Sequence, residues 1–326
     1  MGTKLTIGKA INAGLRAAME HDPKVLIMGE DVGKLGGVFR VTDGLYKDFG
    51  ADRVMDTPLA ESGIVGTAIG MALRGYRPVV EIQFDGFFFP STNQTFTQLA
   101  KMRRRSAGAL SVPVVMRIPY GGGIGAVEHH SESPEAYFMH TAGLRVVTVA
   151  NPEDAYWMTQ QAIRSEDPVI FLEPKRRYYE RAEVDTTAPI TQATPMGAAR
   201  VARPGTDATV VAYGPMVKTA LQAAEADTDR SLEVIDLRSL APVDYPTVME
   251  SVKKTGRLVV THEATLTGGP GAEIAARVTE ECFYHLESPV IRVAAYDTPY
   301  PQSRLEEHYL PDLDRVLDGV DRTFAY

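Results

Sequence analysis

Leu5, Ile7, Ile11, Leu15 and Met19 return at roughly helical spacing, which predicts a helix over residues 5–20. "KVLIMGED" is apolar until it ends in two acids, as a strand buried on both faces would be. "RVMDTP", from Arg53 to Pro58, has strand character and stops at a proline. "GIVGTAIGMAL" follows without a charge and reads as a buried helix. "RPVVEIQF" (77–84) and "VPVVMRIPY" (112–120) read as strands, with a helix over 91–105 between them that Ser91 would cap. "LRVVTVA" (144–150) and "PVIFLEP" (168–174) are further strands. The helix between those two opens with a capping Asn151 and a first-turn Pro152. Strands alternating with helices predict an α/β chain with mainly parallel sheets.

Residues 175–195 lose this periodicity, are polar, and read as a crossing linker. A second alternating series follows, through "ATVVAYG", "LEVIDLRSL", "GRLVVTHEA" and "PVIRVAAYD". The expected division is therefore two domains, 1–185 and 186–326, each a three-layer α/β unit. A chain of 326 residues is long enough for two full cores. With 34 basic and 42 acidic residues its net charge is -8, which argues against nucleic acid as a partner. No apolar run reaches the ~18 residues of a membrane span, so no membrane partner is expected. The N-terminal stretch lacks the apolar core of a signal peptide. It matches the acylation pattern M-G-x-x-x-[ST] through Gly2 and Thr6, but the residues after it already read as a helix and no second anchor is visible. The single cysteine, Cys282, sits inside a helical pattern as a small core residue. It cannot form an intrachain disulfide, which fits a reducing compartment.

Several stretches could carry chemistry. Glu61 stands where a strand ends and the uncharged helix begins. A carboxylate there needs a partner or a task, although the helix dipole alone would stabilise it by ~0.3–1 kcal/mol. "GGGIGA" (121–126) fits a dinucleotide fingerprint and follows a strand, but it opens no clear helix, and no acid ends the next strand to hold a ribose. A flexible loop from Gly121 to about Ser133 is the alternative. His129 and His130 lie on that loop with Glu132 nearby, in no metal-ligand spacing. They are candidates for acid–base work or substrate binding. "KMRRR" (101–105) places cations at a helix end. "LTGGPGAEIA" (266–275) is either an anion site or a tight strand-to-helix turn.

"MGEDVG", "DTPLAESGIVGTAIGMA", "EIQFDGFFFPSTNQ", "HHSESPEAYFMHTAGLRVV", "NPEDA", "PVIFLEPK", "VIDLRSLAPVD", "KTGRLVVTHEA" and "YDTPYP" occur in that order. Together they resemble the beta subunit of the thiamine diphosphate-dependent 2-oxo acid dehydrogenase (decarboxylating) component, of the pyruvate and branched-chain types. The resemblance runs from about Leu5 to the C-terminus. It implies a pyrimidine-binding domain followed by a transketolase C-terminal-like domain. It also implies that Glu61 hydrogen-bonds a ring nitrogen of the aminopyrimidine and favours the imino tautomer that activates the cofactor. Leu59, Gln83 and Phe87 fall where the family lines this pocket, and Phe87 replaces a tyrosine of some members. His130 falls on the loop histidine associated with acyl transfer to lipoamide; His129 receives no role. Val112, Val114, Ala162, Ser165 and Asp167 fall where some relatives hold a potassium ion. The family's diphosphate and Mg²⁺ signatures, a GDG and an Asn pair, are absent; "TDG", "FDG" and "LDG" come nearest. The resemblance therefore implies an alpha subunit that holds the diphosphate and Mg²⁺, in an assembly of two alpha and two beta chains.

The activity implied is oxidative decarboxylation of a 2-oxo acid with acyl transfer to a lipoylated acyltransferase core. "FRVTDGL" and "IQFDGFFFP" lean toward branched-chain substrates, with pyruvate possible. An acetoin-cleaving relative and a non-catalytic docking subunit are the alternatives. The compartment expected is the cytoplasm, or the mitochondrial matrix once a transit peptide has been removed.

Overall fold

The computed structural model describes residues 2–326, which form two compact units. The first comprises the chain up to Tyr120 together with Tyr137–Met196; the second comprises Gly121–Ala136 and Gly197–Tyr326.

Six parallel strands of the first unit lie in the order Arg145–Thr148, Val169–Pro174, Val115–Tyr120, Arg77–Glu81, Val25–Gly29, Val54–Asp56. Helices Ile7–His21 and Pro152–Arg164 pack together over one face. They bury Ile11, Leu15, Trp157 and Ile163 against Val25, Ile27, Val79, Val115 and Phe171. Successive strand residues point to opposite faces, so Leu26, Met28, Val80 and Met116, all buried, face the other side. Both faces are covered, as an apolar parallel sheet requires. Asn151 caps its helix by accepting the Asp154 N–H at 2.9 Å, an interaction of ~1 kcal/mol. Inside this unit, Arg117 lies between Glu173, which it grips with Nε and Nη2 at 2.6 and 2.9 Å, and Glu81 at 2.6 Å.

Three local expectations need correction. Residues 5–20 are not one helix: Thr3–Thr6 is a strand, and the helix is Ile7–His21, capped by the Thr6 hydroxyl. The partner of that strand, Arg181–Val184, lies in the stretch read as a linker, and the two pair antiparallel. Residues 91–105 are not one helix either. A 3-10 turn Asp85–Ser91, a wide π-type segment Asn93–Leu99 and a short helix Met102–Arg105 replace it. Ser91 does not cap; its hydroxyl donates back to Phe88 O at 2.7 Å.

In the second unit, parallel strands Ile291–Ala295, Leu258–Thr265, Ala208–Ala212 and Leu232–Asp236 lie in that order, with Arg200–Arg203 antiparallel at the edge. Helices Met216–Ala226 and Leu313–Thr323 pack together, as do Tyr245–Thr255 and Pro270–Cys282. Cys282 is buried in this core. Among the described residues, no helix is long and apolar enough to cross a membrane.

Candidate active site

The order of strands in the first unit creates a topological switch. The chain leaves Val25–Gly29, adds Val54–Asp56 on one side, then returns to place Arg77–Glu81 on the other. Open α/β sheets bind ligands outside the carboxyl ends of strands at such a point. Three strand ends here deliver Glu30 and Asp31, Glu61, and Gln83.

Glu61 is the first residue of the helix Glu61–Leu73 and is partly buried. Glu30, 4% exposed, lies beside it. Burial pushes the Glu30 carboxyl above the usual carboxylate range; the negative charges of Glu61 and Asp31 add to the rise, and an Ala60 N–H bond offsets part of it. Among the described residues, its Oε1 has no hydrogen-bond partner, nor does the buried Thr57 Oγ1 on the approach to Glu61. Gln83 Nε2 donates to Glu30 O at 3.3 Å and to Asp31 Oδ2 at 3.2 Å. Asp31 has φ 58°, a left-handed backbone that aspartate tolerates better than most residues. The cluster thus sets a buried Glu30 carboxyl beside the negative charges of Glu61 and Asp31, which disfavour its ionisation, with buried polar atoms that a polar ligand could satisfy.

Leu59, two residues before Glu61, is 83% exposed. Phe87 meets Phe84 edge-on at 5.7 Å, and Phe84 meets Phe39 at 5.4 Å. Their segment, Asp85–Ser91, packs against the Glu61 helix. It is anchored by a fully buried ion pair between Asp85 and Lys175; Lys175 Nζ also lies 5.7 Å from the centre of the Phe84 ring. The Glu61 helix is not buried all round as its sequence suggests. Ile64, Val65, Ala68, Ile69 and Ala72 face inward, while Gly63, Gly66, Thr67, Gly70 and Leu73 form an uncharged exposed face.

His130 ends a short turn, Glu128–His130, in the second unit, with its ring 4.3 Å from that of His129. Among the described residues, no three His, Cys, Asp or Glu side chains are grouped for a metal ion, so His129, His130 and Glu132 do not make one. The glycine-rich stretch before them binds anions of the chain itself. Gly122 N–H donates to Glu263 at 3.0 Å, and Gly123 and Gly125 N–H donate to Glu306 at 2.8 and 3.0 Å. The dinucleotide reading of "GGGIGA" fails on this observation. The anion reading of "LTGGPGAEIA" also gives way to a tight turn, because the Gly271 N–H is taken by His262 Nε2 at 3.0 Å.

Of the candidate potassium positions, Val114 O accepts the Val169 N–H at 2.9 Å, which places the strand entry beside the turn that follows Ala162. Ser165 O already accepts from Arg77 at 3.2 Å, and the Asp167 carboxylate pairs with Arg103 at 2.5 Å.

Residues 3–180 match the transketolase pyrimidine-binding domain and residues 197–316 the transketolase C-terminal domain. The chain is 63% identical to the pyruvate dehydrogenase E1 component subunit beta of Leifsonia xyli, over 99% of this chain and 95% of that one. This chain is a 2-oxo acid dehydrogenase beta subunit. It is also 56% identical to a 3-methyl-2-oxobutanoate dehydrogenase subunit beta of Mycobacterium tuberculosis, covering 98% and 91% of the two chains. Identity to a 2-oxoisovalerate dehydrogenase subunit beta of Pseudomonas aeruginosa is 45%, covering 96% and 93%. A solved split-gene transketolase, an inactive beta4 tetramer, shares the fold with a TM-score of 0.80 at 22% identity, over 98% of each chain. The pyrimidine-binding match spans the strand ends that carry Glu30, Glu61 and Gln83 in this beta subunit. Glu30 and Asp31, which lie with Glu61 and Gln83 at these strand ends, are candidates that sequence reasoning missed. Their signal was an acid pair at the carboxyl end of an apolar strand.

Proposed function

We propose that this beta subunit supplies the aminopyrimidine half of a thiamine diphosphate site and acts in the oxidative decarboxylation of a 2-oxo acid. The observation that carries the reading is the Glu61–Glu30 pair at the sheet's switch point, where burial and the charge of Glu61 raise the Glu30 carboxyl and, among the described residues, its Oε1 has no hydrogen-bond partner. The residues fit a flat, polar ring. Glu61 holds a proton against a ring nitrogen. Glu30, repelled by Glu61, shares or returns that proton. Gln83 holds the Glu30 carbonyl and the Asp31 carboxylate, and Leu59 and Phe87 supply apolar contact. When bound, thiamine diphosphate supplies the electron sink that lets carbon dioxide leave.

The remaining acyl carbon is oxidised by two electrons. A lipoyl disulfide takes them, becoming a thioester and a thiol with uptake of one proton. His130 is the residue we assign to that proton, on the lipoylated arm of an acyltransferase core. An alpha subunit holds the diphosphate and Mg²⁺ in an assembly of two alpha and two beta chains. The exposed glycine face of the Glu61 helix suits close approach of another backbone. The carbonyls of Val112, Val114, Ala162 and Ser165, each already accepting one hydrogen bond but with a second lone pair, and Asp167 would be the groups to hold a potassium ion. The substrate is a branched-chain 2-oxo acid or pyruvate, and relatives named for both are among those above. The buried lone Cys282 suits the reducing cytoplasm or, with a transit peptide removed, the mitochondrial matrix.

Calorimetric titration with thiamine diphosphate tests the shared site. Binding is expected only once the alpha subunit is added, followed by turnover across a panel of pyruvate, branched-chain 2-oxo acids and acetoin. A lone chain that binds and turns over fully overturns the reading.

A further inference from the structure

Gly121, Gly123 and Gly125 all have left-handed backbones, with φ 80°, 84° and 71°. Left-handed residues spaced in this way can turn nearby N–H groups toward one side, which makes a nest for an anion. The nest is filled from within the chain. Glu306 is almost fully buried, and both its carboxylate oxygens are used: Oε1 accepts from Gly123 and from the Tyr300 hydroxyl, Oε2 from Gly125. Hydrogen bonds to a charged group are roughly twice as strong as neutral ones. Tyr300 is itself held, packed edge-on against Tyr309 at 4.9 Å in a small cluster with Ala295 and Leu310. A Cβ on Gly122 would collide with the Tyr300 hydroxyl, so the loop and the tyrosine fit only with glycine there.

The consequence reaches His130. The loop closes on itself where Gly121 N–H donates to Glu132 O at 2.9 Å, and His130 N–H donates to Val127 O at 3.0 Å. Only a few residues separate the Gly125 anchor from the His130 turn. We infer that Glu306, aimed by Tyr300, is a positioning residue for His130: its carboxylate fixes the loop that meets the lipoyl group. The inference rests on the assignment of His130 to acyl transfer.

Glu306→Gln keeps the volume but replaces one acceptor oxygen with an NH₂ that faces an N–H donor. In the alpha–beta assembly, kcat/KM for acylation of a lipoyl domain should fall roughly 10- to 100-fold, the scale of a slightly misplaced reacting group. Decarboxylation read with an artificial electron acceptor should stay within about twofold. In a His130→Ala background the second substitution should cost nothing further. Hydrogen exchange at Gly123 and Gly125 should quicken more than exchange in the central strands of the second unit. If Glu306→Gln proves unstable, Tyr300→Phe, which removes one hydroxyl, carries the same tests at smaller amplitude. Parallel losses in both assays, or additive losses in the double variant, overturn the positioning role. A His130→Ala variant that acylates normally overturns the His130 assignment and this inference with it. Selective loss in His130→Ala with a silent Glu306→Gln overturns this inference alone.

Discussion

Acidification should destabilise the second unit through one buried imidazole, His262. The ring is 1% exposed. Its Nδ1 faces Ala264 O at 3.0 Å, so that nitrogen carries the proton, and Nε2 accepts the Gly271 N–H at 3.0 Å. Cβ atoms built on Gly269 or Gly271 would each lie 2.8 Å from the ring, so the glycine turn packs directly against it. Protonating Nε2 would set two N–H groups against each other inside the core. Burial accordingly pushes the His262 pKa down from 6.5 to about 4, the Ala264 carbonyl opposing only in part. Above pH 6.5 the ring is neutral in folded and unfolded chains alike, and this stabilising advantage is complete. As pH falls below 6.5 the unfolded chain takes a proton that the folded chain refuses, and stability is lost until pH ~4. The full loss is about 3 kcal/mol, most of it already gone at pH 5. Urea unfolding of wild type and His262→Gln from pH 8 to pH 4 isolates this from the other histidines. The variant should be weaker at pH 8, and the gap should narrow as pH drops. A constant gap, or a ¹³C-labelled His262 resonance that titrates near 6.5, refutes the reasoning.

Glu30→Gln should raise the unfolding free energy of the isolated chain by about 1 kcal/mol, because the wild-type acid is held against burial and two negative neighbours. The same change should slow the reconstituted assembly, and a variant that is neither more stable nor slower would remove Glu30 from the site. Lys175→Met strands the Asp85 carboxylate in the core and should cost ~3–5 kcal/mol in urea melts; a loss under ~1 kcal/mol would mean the pair does not anchor the Phe87 segment. At Gly66 only Gln94 Cγ, at 3.8 Å, would touch an added Cβ. Gly66→Leu should therefore leave the chain folded, as read by circular dichroism, but block its co-elution with the alpha subunit. Normal assembly would free that helix face from the interface.

Part of the candidate site carries local signals in the sequence. An acid between a strand and an uncharged helix marks Glu61, and "GED" marks the end of the strand Val25–Gly29. That the two acids meet is a fact of strand order, and no spacing in the chain encodes it. The same limit hid the filling of the glycine nest, since Glu306 lies far along the chain from Gly123. The strand Thr3–Thr6 was missed because Leu5 continues the helical spacing of Ile7 and Ile11, while its true partner sits in a polar stretch near residue 183. The helix expected over 91–105 fails for a different reason. Pro90 and the buried Phe88 pull its start into a 3-10 turn, and the π-type segment shifts the register after it. The fold survives these errors because the apolar strands and the alternating order carry it.

The central claim is that one carboxyl group of this chain activates a coenzyme shared with the alpha subunit. Turnover of an assembly reconstituted with Glu61→Gln tests it most directly. A loss of ~10²–10⁴-fold is expected, with folding, assembly and lipoyl-domain binding unchanged. Turnover equal to that of wild type would contradict it.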